Sequence, residues 1–270
     1  MMKTHRPLPR MAFGAMRIDQ GARVLPEEVA IALSYNGTTQ AVMMATPDAL
    51  EDFAYGFSLT EGIARPDEIE SVTVVETDRG IDVQMWLKPV AEARLTRRRR
   101  TMAGPVGCGL CGIDSLEEAT RALPPVTATL RLTPAQICAA IAALPAHQPL
   151  HDATHAAHAA AFWTPLGGIV AAREDVGRHN ALDKLAGALL RGGTTAVGAV
   201  IVTSRLSIDM VQKCAAMGVP VLIAVSAPTA HAVEMADAAG ITLVALARPD
   251  RFEVFTHTDR IDPDEAAHVA

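Results

Sequence analysis

The chain has 270 residues, half of them hydrophobic, and a formal charge of −6, which is enough apolar mass for two ordinary folded units. A net acidic chain does not bind nucleic acid through counterion release alone, no window approaches the roughly 20 apolar residues of a spanning helix, and residues 1–20 lack the apolar core of an export signal. These features predict a soluble cytoplasmic protein, and four cysteines are too few for a disulfide framework at this size.

Residues 1–20 mix Pro and Arg with little periodicity and read as a flexible arm. From Val29 the alternation Val29, Ile31, Leu33, Tyr35 predicts a strand, and Asn36-Gly37 offers the two positive-φ residues of a tight hairpin before a second strand, Thr38 to Met44. Thr46-Pro47-Asp48 is a helix start, with Leu50, Phe53, Ala54 and Phe57 on one face; Glu51, Asp52 and Glu61 read as surface charges. Val72–Thr77 and Ile81–Leu87 form a second hairpin across Asp78-Arg79-Gly80. Residues 21–95 therefore make a small α+β unit.

Residues 96–113 read as a linker that carries the chemistry. Arg97-Arg98-Arg99-Arg100, with Arg94 just before, precedes Gly107-Cys108-Gly109-Leu110-Cys111-Gly112. Glycines free the backbone to present both thiols, and neighbouring cations favour the nucleophilic thiolate. Cys138 and Cys214 fall in Ala-rich helical segments and read as packing residues.

Residues 114–270 form the second unit. Ser115–Glu118 and Thr133–Gln136 are helix starts, and Pro165-Leu166-Gly167-Gly168 joins two strands. Near-continuous apolar strands then alternate with helices: helix His179–Leu190, strand Ala196–Thr203, helix Ile208–Met217, strand Val221–Val225, helix Thr229–Ala239, strand Ile241–Ala247. That pattern predicts a three-layer α/β/α sandwich with parallel strands.

In such sheets ligands sit beyond the carboxyl ends of the strands. Arg178 and His179 follow one strand, Arg205 a second, Ser226 and Thr229 a third, and Leu246-Ala247-Arg248-Pro249-Asp250-Arg251 the fourth. Arginine forks and helix N-termini hold phosphate, so a nucleotide crevice is expected, although neither Gly-rich phosphate fingerprint is present. Glu174, Asp175, Asn180, Asp183 and Lys184 read as a wall of that site or as structural ion pairs. His151, His155 and His158, alone or with Cys108 and Cys111, form a weaker metal-binding alternative. Deaminase chemistry is disfavoured because no H-x-E triplet accompanies the C-x-x-C.

With these motifs laid out, the chain resembles the FdhD/NarQ family of formate dehydrogenase accessory sulfurtransferases from about Pro26 to His257. The carrying residues are Asn36-Gly37, Thr46-Pro47, Glu51–Phe57, Glu61-Gly62-Ile63, Gly107–Gly112, Glu174–Ala181 with Asp183-Lys184, and Ser226–Thr229. The resemblance implies a C-terminal unit of cytidine-deaminase-like fold and a homodimer. It further implies that sulfur arrives as a persulfide from a cysteine desulfurase. Cys108 would carry it, with Cys111 assisting, to the molybdenum or tungsten of the bis-guanine-dinucleotide cofactor, Mo-bis(molybdopterin guanine dinucleotide), required by formate dehydrogenase. The cofactor-binding segment would be Leu246–Arg251, with no structural metal. A noncatalytic cofactor chaperone is the rival reading. This chain departs from the family pattern at Thr154-His155-Ala156-Ala157-His158, where a T-G-G-x-H-like run is usual, and at Ser204 and Asp250, where glycine is usual.

Overall fold

The computed structural model describes residues 2–101, 123, 125–195 and 197–262, and no helix among them is long and apolar enough to cross a membrane. The first 20 residues are not a loose arm. β1 (His5–Phe13) and β2 (Ile18–Pro26) pair antiparallel along their whole length, and ion pairs Arg10–Asp19 (3.0 Å) and Arg6–Glu27 (2.6 Å) fasten the ribbon. Strand alternation is missing from its sequence because most of both faces meets solvent, so neither face selects for apolar residues.

β3 (Val29–Tyr35) and β4 (Thr38–Ala45) form the expected hairpin, with Asn36 and Gly37 at φ 48° and 75°. They join β5 (Ile69–Thr77) and β6 (Gly80–Leu87) in a four-stranded sheet of order β4-β3-β6-β5. Its inner face (Ile31, Leu33, Tyr35, Val83, Met85) packs on Phe53, Ala54 and Phe57 of α1 (Leu50–Thr60). α2 (Pro89–Thr101) follows. Arg94 on α2 is committed to Glu68 (2.6 Å) and the Ile63 carbonyl (3.0 Å) rather than free to act on a thiol; its hydrogen bond pulls the Glu68 carboxyl down to about 2.

α3 (Pro134–Ala143) starts at the Thr133–Gln136 capping box, and α4 (Pro149–Thr154) is short. The second sheet holds β7 (His158–Thr164), β8 (Gly168–Asp175), β9 (Ala199–Val202), β10 (Val221–Ala224), β11 (Thr242–Arg248) and β12 (Arg251–Val254), in the order β12-β11-β10-β9-β7-β8. β9, β10 and β11 are parallel as predicted, whereas β7, running against β9, and the unforeseen β12, running against β11, are antiparallel. Alternate residues feed two cores. Val200, Val202, Leu222 and Leu243 point at α5 (Arg178–Arg191), α6 (Ile208–Ala216) and α7 (Ala230–Ala238), while Ile201, Ile223 and Val244 point at Ile137 and Ile141 of α3. The three-layer α/β/α expectation holds. Cys214 lies in the first core, where burial pushes its thiol up to about 12, so it is inert packing.

The two sheets meet through α1 and α5, and several residues assigned other roles belong to this contact. A Cβ on Gly56 would stand 1.7 Å from the Asp183 carbonyl oxygen, and one on Gly187 would stand 1.8 Å from that of Asp52. The helices thus touch backbone to backbone. Around the crossing lies a set of ion pairs, the innermost of them buried. Lys213 Nζ donates to Asp183 (2.9 and 3.0 Å), Glu61 (2.7 Å) and Thr60 (3.1 Å). Burial works against that ammonium, but Asp183 and Glu61 outweigh it and raise its pKa. Lys184 Nζ donates to Asp175 (2.6 Å) and the Thr46 carbonyl (2.8 Å), and Asn180 Nδ2 bonds the Met44 carbonyl (2.9 Å). Asp52 accepts from Arg173 (2.6 Å) and Arg191 (2.6 Å), and Glu51 pairs with Arg191. Asp52 is therefore buried and Glu61 partly so, whereas Glu51, though paired with Arg191, is the surface charge the sequence predicts. Asp175, Asn180, Asp183 and Lys184 form the joint between sheets rather than a site wall.

Candidate functional site

Because β8 runs parallel to β9, the carboxyl ends of β8, β9, β10 and β11 lie on one edge of the sheet, with the amino end of the antiparallel β7 among them. The loops leaving these ends are stitched by backbone bonds. Leu206 N donates to the Ala227 carbonyl (3.2 Å), Thr229 N to that of Leu206 (2.9 Å), and Leu246 N to that of Ser226 (3.2 Å). Leu246 takes a left-handed φ of 51° at a register shift in β11, and the next residue but one, Arg248, donates Nη1 to the carbonyls of Val225 (2.6 Å) and Ala247 (2.8 Å).

Arg178, His179, Arg205, Ser226, Thr229 and Leu246–Arg251 are thus gathered at one rim, as the strand-end rule predicts. Their roles are unequal. Ala247 is fully buried in the core and offers a ligand only its backbone. The Thr229 hydroxyl accepts from Ala232 N (3.3 Å) as the N-cap of α7. Arg248-Pro249-Asp250-Arg251 is the exposed turn into β12 rather than a free strand end. Arg205, Arg248 and Arg251 are exposed and Arg178 is half-buried. Among the described residues, Arg178 and Arg205 have no carboxylate partner.

Sequence reasoning missed Asp209. His179 Nε2–H donates to its carboxylate (2.6 Å), and Ser207 Oγ donates to the same oxygen (2.9 Å). The His179 bond, outweighing burial, holds the Asp209 carboxyl well below the usual carboxylate range. Charge 30 positions away from its partner leaves no local sequence signal. His158 stands beside this pair at the start of β7, its Nδ1 3.5 Å from Thr203 Oγ1; burial, then Arg178, lowers its pKa and favours the neutral ring. The rim can therefore present cationic forks and an oriented imidazole to an anionic ligand.

The histidine metal alternative is not assembled as predicted. His151 sits on α4 with Nδ1–H donating to the Ala157 carbonyl (3.1 Å), and His155 is the C-cap, so the three rings do not share a helical face. His155 keeps a left-handed φ of 54°. Glu174 caps α4 by accepting from Leu150 N (2.7 Å) and His151 N (2.8 Å). Two cavities lie away from the rim. One, about 270 Å³, opens at the opposite sheet edge between Leu59, Phe162, Leu189 and Pro220; the other, about 490 Å³, lies between His5, Asp48, Arg173 and Glu174. Cys108 and Cys111, together with the expected helix from Ser115, lie outside the described residues.

Residues 26–262 match the FdhD/NarQ family. The chain belongs to that family. Other FdhD/NarQ sequences resemble it over nearly their full length. It is 53% identical over 261 residues to the sulfur carrier protein FdhD of Agrobacterium fabrum, covering 96% of each chain. It is 54% identical over 262 residues to that of Brucella abortus, covering 96% of this chain and 97% of the relative. Among solved structures it resembles a crystal structure described as a formate dehydrogenase accessory protein from Desulfotalea psychrophila. That match has a TM-score of 0.77 and 26% identity, and covers 96% of this chain and 100% of the other.

Proposed function

We propose that this FdhD/NarQ chain is a cytoplasmic sulfur carrier for formate dehydrogenase. In this reading Cys108 attacks the outer sulfur of a cysteine desulfurase persulfide, the donor thiolate leaves, and Cys108 holds the new persulfide. Cys111, three residues on, relays or resolves it. The acceptor is the guanine-dinucleotide form of the molybdenum cofactor, treated as cargo. The observation that carries the reading is the strand-end rim, where Arg178, Arg205, Arg248 and Arg251 accompany the His179–Asp209 pair. Guanidinium forks match phosphate oxygens in both geometry and charge.

Two measurements test it. After incubation with a desulfurase and cysteine, mass spectrometry should find added sulfur on Cys108; a shift confined to another cysteine overturns the assignment. GDP, as a probe of the cofactor's nucleotide end, should bind the wild type and lose about tenfold or more in affinity with Arg248→Ala. A Cys108→Ala chain that still supports formate dehydrogenase in a strain lacking the native protein would leave a noncatalytic cofactor chaperone in its place.

A further inference from the structure

We propose that α2, with Trp86 and Val90 at its base, is the docking element for the protein that donates sulfur, and that this donor meets it with an acidic surface. The inference rests on the reading of Cys108 as the sulfur carrier. α2 is anchored by its first half: Ala91 and Leu95 are 0% and 4% exposed and belong to the core beneath the four-stranded sheet. The six residues that finish the helix, Thr96–Thr101, include no apolar side chain, so burial gives that half no purpose.

Charge supplies one. Residues 88–101 carry six cations (Lys88, Arg94, Arg97, Arg98, Arg99, Arg100) and one acid (Glu92), net +5, which leaves the rest of the chain at −11 within the total of −6. Glu68 answers Arg94. The carboxyl end of a helix holds only about half a unit of negative charge, which one cation offsets, so four arginines in succession exceed what the helix itself calls for. Apolar contact is on offer where the helix begins. Trp86, turned outward from β6 between the buried Met85 and Leu87, is 51% exposed, and Val90 in the first turn is 72% exposed. An exposed indole beside a block of one charge is what protein interfaces use, an aromatic anchor with charges that steer the approach. Position decides which partner this is. Cys108 follows Thr101 by seven residues, a span of at most about 25 Å when extended. A donor held on α2 is thereby kept close to that thiol, which raises its effective concentration there.

The test follows sulfur arriving on Cys108 by quenched mass spectrometry, from a cysteine desulfurase supplied with cysteine and, separately, from cysteine persulfide, which is too small to need a docking surface. Replacing the run together, with Arg97→Gln, Arg98→Gln, Arg99→Gln and Arg100→Gln, should slow transfer from the desulfurase about tenfold or more, and so should Trp86→Ala. Raising the salt from about 50 to about 500 mM should slow the wild type but not the fourfold variant. Transfer from cysteine persulfide and affinity for GDP should stay within about twofold of wild type in both, and Leu166→Asp, at a fully exposed hairpin tip elsewhere, should change nothing. Equal loss with both donors would assign the arginines to activation of the thiolate, and a loss of GDP affinity would assign them to the cargo. Either result, or an undiminished rate from the desulfurase, overturns the proposal. A wild-type chain that gains no sulfur on Cys108 from either donor refutes the carrier reading itself, and the docking site falls with it.

Discussion

Replacing Lys213 with Met should be among the most damaging single changes outside the apolar cores. Lys213 supplies Asp183 with two of its contacts, at 2.9 and 3.0 Å, and removing it leaves only the Thr60 hydroxyl at 2.6 Å. Glu61 is 23% exposed and can turn to water; Asp183, 1% exposed, cannot. Orphaning a buried charge costs about 3–5 kcal/mol. With an unfolding entropy of about 2.1 cal/mol/K per residue, a chain of this size loses roughly 5–9 °C in melting temperature. Burial already pushes the Asp183 carboxyl upward, and without Lys213 nothing comparable opposes it. A carboxyl with a raised folded pKa contributes stability below its unfolded pKa and loses it as pH rises through the folded value. The deficit of Lys213→Met relative to wild type should therefore shrink on acidification from neutral pH. Removing both charges, with Lys213→Met and Asp183→Leu, should cost less than the single change. Urea and thermal melts decide the matter. A single variant within about 1 kcal/mol of wild type, or a double variant worse than the single, would refute this account of the joint.

Three further changes probe other parts. Gly187→Ala should destabilise by at least about 3 kcal/mol in a thermal melt, because its Cβ would meet the Asp52 carbonyl at 1.8 Å and force α1 from α5. Glu68→Gln should cost about 1 kcal/mol at pH 7, kept small because Arg94 is 41% exposed. Since the folded Glu68 pKa is depressed to about 2, its contribution is present above the unfolded value and fades as pH falls through the folded one, so wild type and variant should converge near pH 2. Asp209→Asn should cost about 1 kcal/mol at pH 7, roughly 2 °C in melting temperature, because it removes the charge that His179 and Ser207 stabilise, and should weaken GDP binding about tenfold in calorimetry by freeing the His179 ring.

The strands and helices that pack one face against a core were legible, since alternation and caps such as Thr133–Gln136 are local signals. Asn36-Gly37 likewise fixed its hairpin through the two positive-φ positions. The rim was legible as well, because parallel β9, β10 and β11 bring their carboxyl ends together whatever the loops contain. What escaped were pairings between distant residues. Asp209 reaches His179 across two helices, and Lys213 reaches Glu61 across the joint between sheets. Asp52 and Glu61 look like ordinary solvated charges until α5 and α6 are placed against α1. The solvated ribbon β1–β2 carries no amphipathic pattern to read, and β12 owes its place to a four-residue pairing with β11.

The glycine crossing of α1 and α5 also limits how the protein can be recombined. Gly56 accommodates the Asp183 carbonyl and Gly187 accommodates that of Asp52, so each helix is cut to the other's backbone. A chimera that set either helix against a partner bearing a side chain at the position of Gly56 or Gly187 would place carbon where only hydrogen fits. Exchanges that carry α1 and α5 together preserve the fit, which makes the helix pair, rather than either sheet, the unit of inheritance across the joint.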